Sequence, residues 1–230
     1  MAKKLAKKYA SALEKIDQKK LYTLSEASKL AVETSTTKFD SSVEIHMNLN
    51  VDVRHADQIV RGTIVLPNGT GKKVRIAAFV EADQAKEAKD AGADIAGLED
   101  VIEDIKKGKI NFDIAIAQPQ VMKNLGQIAK ILGTKGLMPS PKSGTVTLEI
   151  VKAIREIKKG KIEYKTDKTG IIHGIVGKVS FGAEKIEENL KTFVKAVIDS
   201  KPSGAKGQYI NSIVLTTTMG PGIKIDLSNI

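Results

Sequence analysis

The chain has 230 residues, 41% of them hydrophobic and 28% charged, and 37 Lys and Arg against 27 Asp and Glu give a net charge of +10. Because there is no Cys, disulfide scaffolds and thiolate zinc sites are excluded. No apolar run reaches the roughly 18–20 residues of a membrane span, and no apolar core follows the Lys-rich start, so we expect a cytoplasmic protein with no membrane partner. The basic balance favours a polyanionic partner such as nucleic acid.

The first 67 residues predict a helix followed by an amphipathic strand. Thr23 and Glu26 have capping-box spacing ahead of a helical pattern over 27–33. Apolar and polar residues then alternate over 43–52, with Glu44 and His46 among the polar set. This period of two predicts a strand with one face in water.

The last 71 residues show a similar mixture of patterns. Strands are predicted at 161–165 and 171–179, around a turn at 167–170. A helix is predicted over 183–200, and a strand from 209 runs into a Thr-rich end and a Gly/Pro turn before a short strand at 223–225.

The centre of the chain has a different pattern. Short apolar runs at 73–80 and 113–117 are typical of strands buried on both faces. Helical patterns at 82–91, 98–107, 120–132 and 147–159 alternate with these strands, and each stops at a Gly, a common left-handed helix end. The alternation predicts a parallel sheet covered by helices.

These patterns predict an α/β protein of two domains. The terminal pieces are each small for a domain, so we expect 1–67 and 160–230 to form one discontinuous α+β domain. Residues 68–159 form an inserted α/β domain in this interpretation. The net charge divides evenly, as +3 for 1–67, +4 for 68–159 and +3 for 160–230.

Catalytic motifs are absent from the sequence. The three His residues form no HExxH pattern, 69–72 does not complete a Walker loop, and no GxGxxG follows the first central strand. We therefore expect no enzyme, cofactor or metal. An enzyme or small-ligand site in the central layer would need a phosphate fingerprint that the sequence lacks. A general nucleic-acid chaperone, whose binding is set by charge alone, stays open as an alternative.

A Gly- and Pro-rich stretch over 133–145 predicts a long loop without regular structure. Its side chains are basic and polar, and it follows a predicted helix end, where free backbone amides can hold phosphates. Lys135, Gly136 and Lys142 are the candidate secondary RNA contacts. The alternative is a loop that only connects two elements.

Two further clusters lie in the terminal segments, at 36–40 and 216–220. If the segments share a sheet, the clusters lie side by side and offer Thr hydroxyls, Phe39, Met219 and Gly220 to phosphate, ribose or base. The alternative is that the Thr residues reflect strand propensity and that Phe39 belongs to the core. Because aromatic residues make up only 4% of the chain, folded RNA fits better than single strands read by stacking.

Five segments, in this order, resemble the L-one family of bacterial large-subunit ribosomal proteins, which form the mobile stalk beside the ribosomal exit (E) site. They are Thr37–Asp40, Val60–Thr63, Gly133–Pro139, Asp167–Gly170 and Thr216–Pro221. The resemblance extends over the full chain. It implies a split RNA-binding terminal domain and an inserted domain with Rossmann-like, three-layer α/β structure.

The resemblance also implies partners and site residues. The expected partners are the stalk region of large-subunit rRNA, E-site tRNA and the protein's own operon mRNA, for a protein that is monomeric when free and part of the 50S subunit. The expected roles are release of deacylated tRNA and repression of its own translation. The implied RNA contacts, with Thr216 and Thr217 added from the strand end, are Lys38, Phe39, Glu44, Lys168, Thr169, Gly170, His173, Thr216, Thr217, Thr218, Met219 and Gly220.

Overall fold

The computed structural model describes residues 7–205 and 207–228, except for the side chain of Ala82. The chain divides into two compact units, one formed by Met1–Gly71 with Ile162–Ile230 and the other by Lys72–Lys161. That each unit folds as an independent domain stays a prediction. Within the described ranges, no helix combines the length and the apolar character that a membrane crossing requires.

The terminal unit combines helices α1, α2 and α8 with strands from both ends of the chain. Its elements are α1 (Lys7–Glu14), α2 (Leu24–Glu33), β1 (Ser42–Leu49), β2 (Arg61–Val65), β6 (Lys161–Lys165), β7 (Ile171–Lys178), α8 (Gly182–Asp199), β8 (Ile210–Thr217) and β9 (Ile223–Ile225). The predicted capping box is confirmed, because the Thr23 hydroxyl accepts from the Glu26 amide and the Glu26 carboxylate accepts from the Thr23 amide.

The main sheet of this unit has the strand order β7-β1-β8-β9. Strand β1 is antiparallel to both β7 and β8, so the two ends of the chain share one sheet. Residues 43, 45, 47 and 49 of β1 are buried and the intervening residues are not, as the alternation predicted. A separate two-stranded sheet joins β2 to β6.

The buried face of this sheet packs against α2 and α8. Ile45 and Met47 of β1 meet Leu190 and Phe193 of α8 in one apolar core. Gly174 of β7 permits this approach, because a Cβ there would lie 2.6 Å from the Phe193 ring. With one face covered by helices, the other face of the sheet is left for solvent or a ligand.

The central unit is a parallel sheet between two helical layers. Its elements are β3 (Ile76–Phe79), α3 (Ala82–Asp90), β4 (Ile95–Gly97), α4 (Glu99–Lys106), β5 (Ile114–Ala117), α5 (Met122–Leu125), α6 (Ala129–Thr134) and α7 (Ile150–Lys158). The strand order is β4-β3-β5, all parallel. One core lies between the sheet and α4–α6, and the other between the sheet and α3 and α7. The predicted α/β fold class is confirmed.

The structure corrects two local predictions in the central unit. Gly133 does not end its helix, because α6 continues to Thr134, and Gly136, with φ at 69°, takes the left-handed conformation. The stretch after it is not without structure: Pro141–Ser143 forms a 3-10 turn and Val146 pairs in parallel with Ala117 at the sheet edge. The sequence patterns also missed the short strands β2 and β4.

Candidate nucleic-acid interface

The uncovered face of the terminal sheet carries side chains from three strands. Residues that pair directly across antiparallel strands share a face, and the register pairs Glu44 with both Thr216 and Ile175, and His46 with His173. The strands have eight residues each, so this face extends for about 25 Å. We call it the open face. Three of the predicted contacts, Glu44, His173 and Thr216, lie on it.

One end of the open face carries Phe39 and Met219, and we call this end the Phe39–Met219 end. The two predicted clusters lie near each other here, because Ser42, two residues after the first cluster, pairs with Thr218 of the second. The Thr218 hydroxyl accepts from the Ser42 amide at 3.1 Å and the Thr218 amide donates to the Ser42 carbonyl at 3.0 Å. Phe39 is 61% exposed and Met219 is 76% exposed. Phe39 is therefore not a core residue, and the two apolar side chains are free to contact sugars or bases.

The Phe39 segment is tied to the end of β7 by Asp40. Its carboxylate accepts from the Ser180 amide at 3.1 Å and from the Ser180 hydroxyl at 2.8 Å. These hydrogen bonds lower the pKa of Asp40. The Lys178 ammonium also donates to the Asp40 carbonyl. Sequence patterns alone did not point to Asp40, Lys178 or Ser180 as site residues, because their contacts join segments about 140 residues apart.

Met219 occupies a strained turn. Its φ is 67°, and among the described residues it alone combines a positive φ with a side chain. The turn is held by the Gly220 amide, which donates to the Thr217 carbonyl at 2.7 Å, and by the Thr216 hydroxyl, which donates to the Gly220 carbonyl at 3.2 Å. Left-handed backbone is costly for residues other than Gly, and such strain is concentrated at functional sites. The turn projects the Met219 side chain away from the core.

The opposite end of the open face carries the turn at 167–170. The Asp167 carboxylate accepts from the amides of Thr169 and Ile171 and from the Thr169 hydroxyl, each at 2.8 Å. The Ile171 amide and then the Thr169 hydroxyl lower the pKa of Asp167 to about 2. The turn leaves the side chains of Lys168 and Thr169 exposed. Lys168 thus offers a cation at the end of the sheet remote from Phe39.

A pair of imidazoles lies between the two ends. His46 Nδ1 and His173 Nδ1 are 2.8 Å apart, so one donates and the other accepts. His173 Nε2 lies 3.5 Å from the Asp167 carboxylate. Partial burial and the neighbouring His173 lower the pKa of His46, against the opposite effect of Glu44. His46 is therefore neutral near pH 7. The sequence placed it on the polar face but did not predict its contact with His173.

Two predicted contacts do not face the surface. The side chain of Thr217 is turned into the core and its hydroxyl has no hydrogen-bond partner among the described residues. Gly170 is buried with φ at 79°, and a Cβ there would lie 3.2 Å from the Leu49 carbonyl oxygen. Both residues shape the backbone at the ends of the open face and present no side chain to it.

The candidate secondary contacts lie in the central unit. Lys135, Gly136 and Lys142 are exposed. The neighbouring hydroxyls are used internally, since Thr145 accepts from the Ser140 amide at 2.9 Å and lies 2.9 Å from the Ser143 hydroxyl. The stretch therefore presents exposed lysines on a backbone that internal hydrogen bonds hold in place, and its Ser and Thr hydroxyls are already hydrogen-bonded.

Comparison with known proteins identifies the family. The profile of the ribosomal protein L1p/L10e family matches residues 31–221. Among curated relatives, the large ribosomal subunit protein uL1 of Macrococcus caseolyticus is 50% identical over 230 residues, covering 100% of this chain and 99% of the relative. The protein of the same name from Dechloromonas aromatica is 48% identical over 227 residues, covering 99% of this chain and 98% of the relative.

The chain belongs to the ribosomal protein L1p/L10e family. The resemblance inferred from the five segments is confirmed. Membership also confirms the prediction of a non-enzymatic protein of translation that acts in the cytoplasmic ribosome. Phe39, Glu44, His173 and Met219 all lie within the matched range of this family member, as does every other residue described above for the open face.

The turn at Asp167 predicts a pH dependence of stability. A carboxyl whose pKa is about 2 in the folded chain and about 3.9 in the unfolded chain stabilises the fold above about pH 4. This stabilisation is lost as the pH falls through 2. The Asp167→Asn variant is therefore expected to be less stable than wild type at pH 7, with a difference that narrows below pH 4. Urea unfolding of both proteins from pH 7 to pH 2.5 measures this difference in the free energy of unfolding. A difference that does not change with pH would contradict the prediction.

Proposed function

We propose that the open face of this family member, which is a structural constituent of the large ribosomal subunit, binds a folded region of large-subunit rRNA, the stalk region. The observation that carries the proposal is the arrangement of the open face. Two exposed apolar side chains, Phe39 and Met219, stand at one end, Lys168 stands at the other, and hydroxyl, imidazole and carboxylate groups lie between them.

Recognition on this face rests on shape more than on charge. Over the predicted terminal domain, 1–67 with 160–230, the net charge is only +6. Lys38 and Lys168 supply attraction to phosphates. The Thr216 hydroxyl donates its proton to the Gly220 carbonyl and keeps a lone pair that can accept from a ribose 2′-OH. Glu44 accepts hydrogen bonds from a base amino group or a 2′-OH, which a phosphate cannot donate. These groups favour a folded RNA over a general chaperone that binds by charge alone.

Two finer roles are part of the same proposal. As a stalk protein, the chain assists release of deacylated tRNA from the E site. It also represses translation of its own operon mRNA, where a segment similar to the rRNA site competes for the open face. Lys135, Gly136 and Lys142 are proposed as secondary RNA contacts, since they are exposed on a braced loop. The free protein is monomeric in this proposal.

A band-shift titration of a transcript of the rRNA stalk region, competed with excess tRNA, tests the main claim. The wild-type chain is expected to keep the stalk transcript bound, and competition by tRNA as effective as by unlabelled stalk transcript would refute specific binding. Phe39→Ala is expected to weaken binding by about 1–3 kcal/mol, because it removes an exposed contact residue. Ile198→Ala is the matched control, since Ile198 is 38% exposed in the same unit and lies on α8, the helix that covers the other face of the sheet.

A further inference from the structure

We infer that the groove between α1 and the end of α2 is a second phosphate-binding site, which extends the RNA contact beyond the open face. The inference rests on the proposed function. The groove has a volume of about 410 Å³ and is lined by Lys7, Lys8, Lys15, Glu33, Thr34 and Thr36, together with two small residues of α1. Its three ammonium groups and one carboxylate give it a net positive charge.

The sequence of α1 builds this basic wall. Lys8, Ser11 and Ala12 lie on one face of α1, and Lys15, the residue after its end, continues the same spacing. Ala12 is 3% exposed and anchors that face on the protein. Because Ser11 and Ala12 are small, the longer lysines on either side border an open groove. The face is therefore anchored through a small residue and presents cations to solvent.

The lysines of the groove are not neutralised by the protein itself. Lys7, Lys8 and Lys15 are exposed, and in the described part of the chain no carboxylate lies within 4.0 Å of their ammonium nitrogens. Lys20, by contrast, pairs with Glu26 at 3.4 Å, and Lys191 pairs with Glu187 at 2.7 Å. Unpaired cations gathered in a groove suit a phosphodiester backbone, whose neutralisation releases bound counterions.

The groove adjoins the Phe39–Met219 end of the open face. Thr36 lines the groove and is three residues before Phe39, so the two Cα atoms are at most about 11 Å apart. One RNA strand that contacts Phe39 can therefore continue into the groove. A different role would be to complement the negative C-terminal end of α2, at Glu33 and Thr34. That role would change stability but would not change the salt dependence of RNA binding.

The test is the salt dependence of stalk-transcript binding by the full chain. The slope of log K against log salt is negative, and the Lys7→Gln/Lys8→Gln/Lys15→Gln variant is expected to reduce its magnitude by about 2–3, because each phosphate neutralised contributes about 0.7–0.9. The matched control changes Lys29, Lys185 and Lys195 to Gln, three exposed lysines of α2 and α8. This control is expected to keep the wild-type slope. A triple Lys→Arg variant of the groove, which keeps the charge, is also expected to keep it.

The outcomes separate the two claims. If wild type selects the stalk transcript over tRNA and the groove variant keeps the wild-type slope, the groove is not a phosphate site and the proposed function stands. Equal loss of slope in the control would show a general charge effect and would also overturn the groove. If wild type does not select the stalk transcript, the proposed function fails and the groove inference falls with it. Thermal unfolding of each variant verifies that Lys→Gln leaves the fold intact.

Discussion

Replacing Met219 by Gly is expected to weaken binding of the stalk transcript by an amount on the order of 1–3 kcal/mol while leaving the chain as stable as wild type or more stable. The two effects have opposite signs because they arise from different parts of the residue. The side chain is 76% exposed, so its loss costs the free protein little apolar burial. The backbone has φ at 67°, a conformation that Gly adopts without strain.

A comparison with Met219→Ala separates side chain from backbone. Ala lacks the apolar side chain but keeps the strained φ, so it is expected to bind RNA as weakly as Gly without the gain in stability. Met219→Leu keeps the apolar bulk and is expected to retain most of the affinity. Filter binding of the three variants measures their affinity for the stalk transcript, and urea unfolding measures their free energy of unfolding. Wild-type affinity in the Gly and Ala variants would remove Met219 from the interface.

Local patterns in the sequence predicted most elements of the terminal unit. The alternation of apolar and polar residues in β1 predicted its buried face and its solvent-facing face, and the Thr23–Glu26 spacing marked the start of α2. Strand β4 has only three residues, none fully buried, and β2 has one fully buried residue, so neither has a clear period. The end of α6 was misplaced because Gly133 and Gly136 are equally good candidates in sequence, and only the latter has a positive φ.

That the two terminal segments share a sheet was predicted and is confirmed, whereas the contacts across that sheet depend on register. Because β1 begins where β8 ends in this sheet, Phe39 and Met219 lie at the same end of the open face. The contact between His46 and His173 could not be predicted, because the pairing of β1 with β7 shifts by one residue between Val43 and Glu44. A shift of one residue exchanges the two faces of a strand. Three consecutive Thr residues have no alternating pattern, so the sequence did not show that Thr217 is buried while Thr216 and Thr218 remain accessible.

The second large effect is expected at Gly220, where any side chain would disturb the turn that holds Met219. A Cβ at this position would collide with the Thr217 hydroxyl oxygen and would lie 3.2 Å from the Thr217 carbonyl oxygen. Gly220→Ala is therefore expected to lower the free energy of unfolding by about 1–3 kcal/mol. It is also expected to weaken RNA binding, since the turn positions Met219.

The collision can be tested by changing its partner. Thr217→Ala removes the colliding hydroxyl, so the double variant Thr217→Ala/Gly220→Ala is expected to recover stability, with a coupling of about 0.5–3 kcal/mol in the double-mutant cycle. Thr217→Val is the matched control, because it removes the unpartnered hydroxyl but keeps the bulk. By itself it is expected to be neutral or stabilising and to bind RNA normally, because this side chain is 3% exposed. When Thr217→Val is combined with Gly220→Ala, we expect no recovery of the stability that Gly220→Ala loses. Additive effects in both cycles would show that the Thr217 side chain does not restrict position 220.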